Sequence, residues 1–188
     1  MSLRIAVLVG SLRRESFNRQ LAQALAGLAP QELSMEILRI DDLPLYNQDD
    51  DASPAEPVRR LKAEVANADG VVFVTPEYNR SIPGVLKNAI DHASRPYGQS
   101  AWAGKPAGVI GISVGAIGTA IAQQHLRNVL AYLDMPTLGQ PEMFLMNKPG
   151  FFDAKGGIAA DDTRQFLQKW LQRYAAWVRE HSDAVATA

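Results

Sequence analysis

Near-continuous apolar runs alternate along this chain with stretches of helical period. The run RIAVLVG (Arg4–Gly10) has almost no polar break, the pattern of a strand covered by helices on both faces. From Asn18 to Leu28 the residues Leu21, Leu25 and Leu28 fall on one helical face. MEILRI (Met35–Ile40) reads as a second strand, and Pro57–Ala68 as a helix anchored by Val58, Leu61 and Val65. GVVFVT (70–75) is a third strand, followed by a helix over Gly84–Ala93 with Val85, Leu86, Ala89 and Ile90 inward. PAGVIGIS (Pro106–Ser113) is a fourth strand. Thr119–Leu133 is then a helix carrying Ile121, Ala122, Leu126, Val129, Leu130 and Leu133. EMFLM (Glu142–Met146) is a short fifth strand. From Asp161 a long helix spaces Phe166, Leu167, Trp170, Leu171, Tyr174, Trp177 and Val178 at the helical period.

Five strand–helix units predict an α/β fold: an open, five-stranded parallel sheet with helices on both faces. A (β/α)8 barrel needs roughly 250 residues, and the chain has 188. One domain over residues 1–188 is expected. Two irregular stretches, Tyr46–Pro57 and Asn147–Ala160, are polar or Gly-rich and longer than most connections. They are either functional loops or surface insertions.

Composition narrows the chemistry. A formal net charge of −1 provides no global field for nucleic acid or an anionic membrane, so any anion site must be local. The absence of cysteine removes disulfides, thiolate catalysis and cysteine-ligated metals. The first residues run straight into a strand with no signal-peptide pattern, and no apolar run is long enough to span a bilayer. A cytoplasmic protein is therefore expected.

The first strand ends in GSLRRESFNR (Gly10–Arg19), where a helix begins at about Phe17 with Ser16 as its N-cap. Free N–H groups and the helix dipole favour an anion there. Ser11, Ser16 and Asn18 add neutral donors, and Arg13 a forked, charged one. The plain alternative is a serine-capped helix with solvated arginines. No G-x-x-x-x-G-K-[ST] and no G-x-G-x-x-G follows the strand, so P-loop nucleotide hydrolysis and the dinucleotide fingerprint are both set aside.

The third strand exits into TPEYNRSIPG (Thr75–Gly84), a proline-bracketed turn bearing a carboxylate, an aromatic ring and an amide. In an open sheet of order 2-1-3-4-5, ligands sit between the carboxyl ends of the first and third strands. The two loops would then be neighbours. A ligand with a phosphate at one end and a flat polar ring at the other, such as flavin mononucleotide, would span them. Glycines in SVGAIG (Ser113–Gly118) would let a third loop approach closely.

Together GSLRRESFN, TPEYNRSIPGVLKNAIDHASRP and GISVGAIGTA resemble the NADPH-dependent FMN reductases, a family that includes quinone, chromate and azo-dye reductases. The matches come in the family's order and spacing and span most of Arg4–Leu145. The resemblance implies a flavodoxin-like fold, bound FMN and a homodimer or homotetramer. It implies that Ser11, Arg13, Ser16, Phe17 and Asn18 hold the FMN phosphate and ribityl chain. Pro76, Glu77, Tyr78 and Asn79 would hold one edge of the isoalloxazine, and Ser113, Gly115 and Ala116 would approach the other. NADPH or NADH would pass a hydride through flavin N5 to a quinone or similar small-molecule acceptor, by a ping-pong scheme with no catalytic side chain. Tyr78 is then a wall that positions substrate; the alternative is a packed loop tyrosine.

His92 departs from the family, where tryptophan is common. His92, His125 and His181 lack partners at ligand spacing and are expected to be packed or surface residues. DDLPLYNQDDD (Asp41–Asp51) is expected to be a solvated acidic loop, not a metal site, with Leu45–Tyr46 near a neighbouring subunit's flavin. Lys87, Asn88 and Asp91 read as a hydrogen-bonded structural set. Leu45, Tyr46, Tyr97, Trp102, Phe151 and Phe152 are apolar groups that either form a subunit interface or fold back on their own domain. The competing functions are an electron-carrier flavodoxin and a flavin-binding regulatory module.

Overall fold

Strand and helix alternate from end to end in the computed structural model, which describes residues 2–185. The order is β1 (Leu3–Val9), α1 (Phe17–Leu28), β2 (Leu33–Ile37), α2 (Glu56–Ala66), β3 (Gly70–Val74), α3 (Gly84–Ala93), β4 (Ala107–Ser113), α4 (Ala120–Tyr132), β5 (Met143–Met146) and α5 (Asp161–Val185). A short 3-10 turn, Gln48–Asp50, lies in the long connection before α2. The five strands form one sheet in the order β2-β1-β3-β4-β5, and every neighbouring pair is parallel. The flavodoxin-like expectation holds. No helix among the described residues is long and apolar enough to cross a membrane.

Successive side chains of a strand point to opposite faces, so the apolar runs feed two separate cores. Ile5, Val7 and Val9 with Val72, Val74, Ile110 and Ile112 meet Leu21 and Leu25 of α1 and Leu167, Trp170 and Tyr174 of α5. Ala6, Leu8, Val71, Phe73 and Val109 meet Leu61 of α2, Leu86 and Ile90 of α3 and Leu126 and Leu130 of α4. This double coverage is why β1, β3 and β4 carry almost no polar residue.

One boundary expectation and two core-face expectations shift. The second strand stops at Ile37 rather than Ile40, because β2 pairs with β1 only as far as Val7. Leu38 N–H still reaches Val7 O at 2.9 Å, after which Leu38 and Ile40 turn under the sheet into the α2-side core. Phe166 and Ile121, expected on core faces, are exposed: each lies one step off the buried stripe of its helix.

What matters for function is the reversal of winding between β1 and β3. Val9 is level with Val74 in the ladder, and Gly10 N–H donates to Val74 O at 2.9 Å. The loops after β1 and β3 therefore leave the sheet side by side, at the crevice where doubly wound folds bind ligands.

Candidate cofactor site at the carboxyl ends of the strands

The first loop folds as its residue types require. Ser16 stands at the N-cap of α1 with extended backbone, and its hydroxyl accepts from Arg19 N–H at 3.3 Å. The N–H groups of Phe17 and Asn18 find no partner among the described residues. They are orphan donors at the positive end of a helix dipole, beside the buried hydroxyl of Ser11. Arg13 lies over this end: its guanidinium donates to Glu15 O, and its Cζ sits 4.9 Å from the Phe17 ring centroid.

Asn18 has a second task. It is only 3 % exposed; its Nδ2 donates to Ile112 O at 2.9 Å and its Oδ1 accepts from Ile112 N–H at 3.1 Å. The β3–β4 ladder ends at Val74 and Ile110, with one further bond from Thr75 N–H to Ile110 O. The amide thus takes the place of the next residue of β3 and locks α1 to β4. The signal for this in the sequence is an asparagine one helical turn before Leu21, on the buried face.

The second loop answers to its proline brackets and its carboxylate. Tyr78 and Ser81 exchange both backbone hydrogen bonds at 3.0 Å, closing a two-residue hairpin around Asn79 and Arg80. Both central residues have positive φ, 51° and 65°. Asparagine tolerates this region; arginine does so at a cost of about 1–2 kcal/mol. Glu77 anchors the turn. Its carboxylate is 8 % exposed, with Oε2 accepting from Ile121 and Ala122 N–H at 3.0 and 3.1 Å and Oε1 from Arg80 Nη1 at 3.1 Å. The Glu77 and Asn79 N–H groups have no partner among the described residues. Tyr78 is 50 % exposed, so it is not a fully packed loop tyrosine.

The third loop is a tight knot. Ser113 Oγ donates to Gly118 O and accepts from Gly115 N–H at 3.2 Å, and Gly118 N–H returns to Gly115 O at 3.0 Å. Gly118 has φ +61°, and a Cβ there would lie 2.8 Å from the Phe144 carbonyl carbon, so only glycine fits against β5. Gly115 and Ala116 remain exposed, flanked by exposed Val114 and Ile117.

All three loops thus meet at one end of the sheet. The first loop brings orphan N–H groups and Arg13, the second the free N–H groups of Glu77 and Asn79, and the apolar Leu12, Tyr78, Val114 and Ile117 of the three loops are exposed. That donor set fits a ligand with an anionic end and a flat, polar-edged ring.

The longer irregular stretches are ordered by other means. Pro44 O accepts from His92 Nε2 and Asn88 Nδ2, both at 2.8 Å, while Asn88 Oδ1 accepts from Tyr46 N–H at 2.8 Å. Tyr46 meets the buried His92 ring edge-on at 5.4 Å. His92, where tryptophan is expected, is therefore a packing and anchoring residue. Lys87 pairs with Asp91 at 2.7 Å along the same helix. In the Asn147–Ala160 stretch, Asp153 accepts Gly157 and Lys155 N–H groups at 2.9 and 2.7 Å, which holds its carboxyl below the usual range. Among the described residues no group of His, Asp and Glu gathers as a metal-ligand set.

The apolar groups expected at an interface divide. Trp102 is wholly buried, donates Nε1–H to Ile90 O at 2.9 Å and tilts against Phe73, so it belongs to the domain's own core. Phe151 and Phe152 also pack partly against the α1–α5 core. Leu45 and Tyr97 stay 87 % and 85 % exposed, and Tyr132 joins them. Tyr97 and Tyr132 flank a groove of about 540 Å³ between α3 and α4, apart from the three loops.

Comparison with known proteins agrees with this geometry. The family model described as NADPH-dependent FMN reductase matches residues 3–150. The chain is 59 % identical over 180 residues to a 2-hydroxy-1,4-benzoquinone reductase of a Burkholderia species, covering 96 % of this chain and 98 % of that protein. It is 52 % identical over 176 residues to a quinone reductase of Pseudomonas putida, covering 93 % and 94 %. Among solved structures, the FerB flavoenzyme NAD(P)H:(acceptor) oxidoreductase of Paracoccus denitrificans superposes with a TM-score of 0.92 at 44 % identity, covering 95 % of this chain and 98 % of FerB. With a family model matched over most of its length and relatives of this closeness over nearly their whole length, the chain belongs to the NADPH-dependent FMN reductase family.

Proposed function

We propose that this protein carries reducing equivalents from NAD(P)H to quinones through one FMN laid across the carboxyl ends of β1, β3 and β4. Family membership makes it an FMN-dependent oxidoreductase with NAD(P)H as donor. The observation supporting the seat is the convergence of the open α1 N-terminus with the free N–H groups of the Glu77–Asn79 turn at the winding reversal. FMN supplies the redox chemistry, its ring accepting a hydride from NAD(P)H and giving the electrons on to the acceptor.

The chain's own residues hold and shape. Ser11, Arg13, Ser16, Phe17 and Asn18 take the phosphate and ribityl chain, with hydroxyl, guanidinium and helix-end N–H donors. Pro76, Glu77, Tyr78 and Asn79 line one edge of the ring, with the free N–H groups of Glu77 and Asn79 as its backbone donors. Ser113, Gly115 and Ala116 approach the opposite edge, where the Ala116 N–H, without a partner among the described residues, favours negative charge. Tyr78, Leu12, Val114 and Ile117 form an apolar rim suited to a flat acceptor and to the nicotinamide ring in turn. No side chain has to act as a nucleophile. Azo dyes, chromate and free flavin are further acceptors for so open a site.

Rates with NADPH and NADH against a panel of acceptors test this reading. Double-reciprocal plots at several quinone concentrations are expected to be parallel, because donor and acceptor share one place. Intersecting lines would require two places and overturn the shared site.

We further propose that the active form is a homodimer or homotetramer. Leu45 projects into solvent from a segment clamped by three hydrogen bonds to Asn88 and His92, and Tyr97 and Tyr132 stand exposed beside the α3–α4 groove. Rigid, exposed apolar groups mark contact surfaces. Sedimentation at assay concentration is expected to give a dimer or larger; a fully active monomer would remove the proposal.

A further inference from the structure

Helix α4 has no cap of its own. Thr119 at its N-cap makes no side-chain capping bond; its hydroxyl accepts instead from Gln123 Nε2 at 2.9 Å, inside the core. The Ile121 and Ala122 N–H groups are met by one oxygen, Glu77 Oε2, from 44 and 45 residues upstream. Glu77 belongs to the turn after β3, and α4 begins directly after the Ser113–Gly118 knot. The carboxylate is therefore a tie between the two loops that face each other across the crevice. It is also the one carboxylate of the Thr75–Gly84 turn, and its charge is balanced by the α4 N-terminus and by Arg80.

We infer that Glu77 is a positioning residue that fixes the spacing of the two ring-binding loops and, through its charge, offsets the positive end of α4 beside the flavin. Its side chain is fully engaged in three bonds and nearly buried, so it is not the proton donor of the reaction; only its backbone faces the ligand. Two consequences separate. Truncation removes the tie. Neutralisation at constant shape leaves the α4 dipole and Arg80 uncompensated, which favours the more electron-rich form of a bound flavin.

The inference rests on the FMN reading, and the test distinguishes the two. Wild-type protein is first titrated with FMN. A wild type that takes up no FMN overturns the function proposed above and this role with it. If it does take up FMN, Glu77→Gln is expected to raise the affinity for reduced over oxidised FMN by about tenfold, a midpoint potential about 30 mV more positive for the two-electron couple. Glu77→Ala is expected to bind oxidised FMN at least about tenfold more weakly, as both α4 N–H bonds are lost. The sign of the potential shift is the decisive readout, since a purely structural role would not move it in the isosteric variant. A Glu77→Gln potential equal to or below wild type overturns the charge role. A Glu77→Ala protein with wild-type FMN affinity overturns the tie, and in either case the FMN seat itself stands.

Discussion

Gly111→Ala is expected to destabilise the protein by about 3 kcal/mol, the upper part of the range for overpacking a close contact. A Cβ at this position would lie 2.1 Å from Thr119 Oγ1 and 2.2 Å from Thr75 O. Neither neighbour can yield cheaply. Thr75 O is backbone at the end of β3, and Thr119 is buried at the head of α4, its hydroxyl bonded to Gln123. The added methyl must part the second and third loops, so FMN affinity should fall along with stability. For a chain of this size the cost corresponds to a melting temperature lower by about 6–12 °C. Calorimetry of the flavin-free protein checks it, and a shift under about 2 °C would show that the strand ends are looser than the described packing.

Arg13→Ala is expected to weaken FMN binding roughly ten- to a hundredfold, with little change in the stability of the flavin-free protein. A hydrogen bond to a charged group contributes about 1.5–3 kcal/mol. The guanidinium is exposed and, among the described residues, touches only Glu15 O and the Phe17 ring, so the fold does not depend on it. Its place beside Phe17, whose N–H has no partner among the described residues, is the ground for proposing it as a phosphate ligand. Fluorescence titration of FMN with both proteins measures the difference. Equal affinities would remove Arg13 from the site.

Much of this architecture is legible in the sequence because double burial leaves a plain mark. RIAVLVG and GVVFVT can be uninterrupted only if helices cover both faces, and the two cores bear this out. Ser16 is legible as a cap because a serine preceding a helical apolar period has one obvious partner, the free N–H groups of the first turn. The contacts that close the site are of another kind. Glu77 caps a helix more than forty residues away, and Asn18 completes an unfinished ladder on β4. Glu77 has no helical period to mark it, Asn18 shows only a buried face, and neither contact has a local partner, so only the folded chain brings the groups together. Trp102 misleads for a related reason. It follows a turn-rich polar segment that reads as surface, yet its indole reaches Ile90 O and fills the space beside Phe73. Phe166 shows the converse: at helical spacing it reads as core, but one step off the buried stripe leaves it in water.

The proposed seat is one FMN across the ends of β1, β3 and β4, phosphate at Gly10–Asn18 and ring against Pro76–Asn79. A crystal structure of the FMN-loaded protein tests it most directly. One flavin per chain is expected, with its phosphate at the Phe17 and Asn18 N–H groups and its ring between the Glu77–Asn79 turn and the Ser113–Ala116 knot. A flavin seated instead in the α3–α4 groove, or with its phosphate away from the α1 N-terminus, would contradict it.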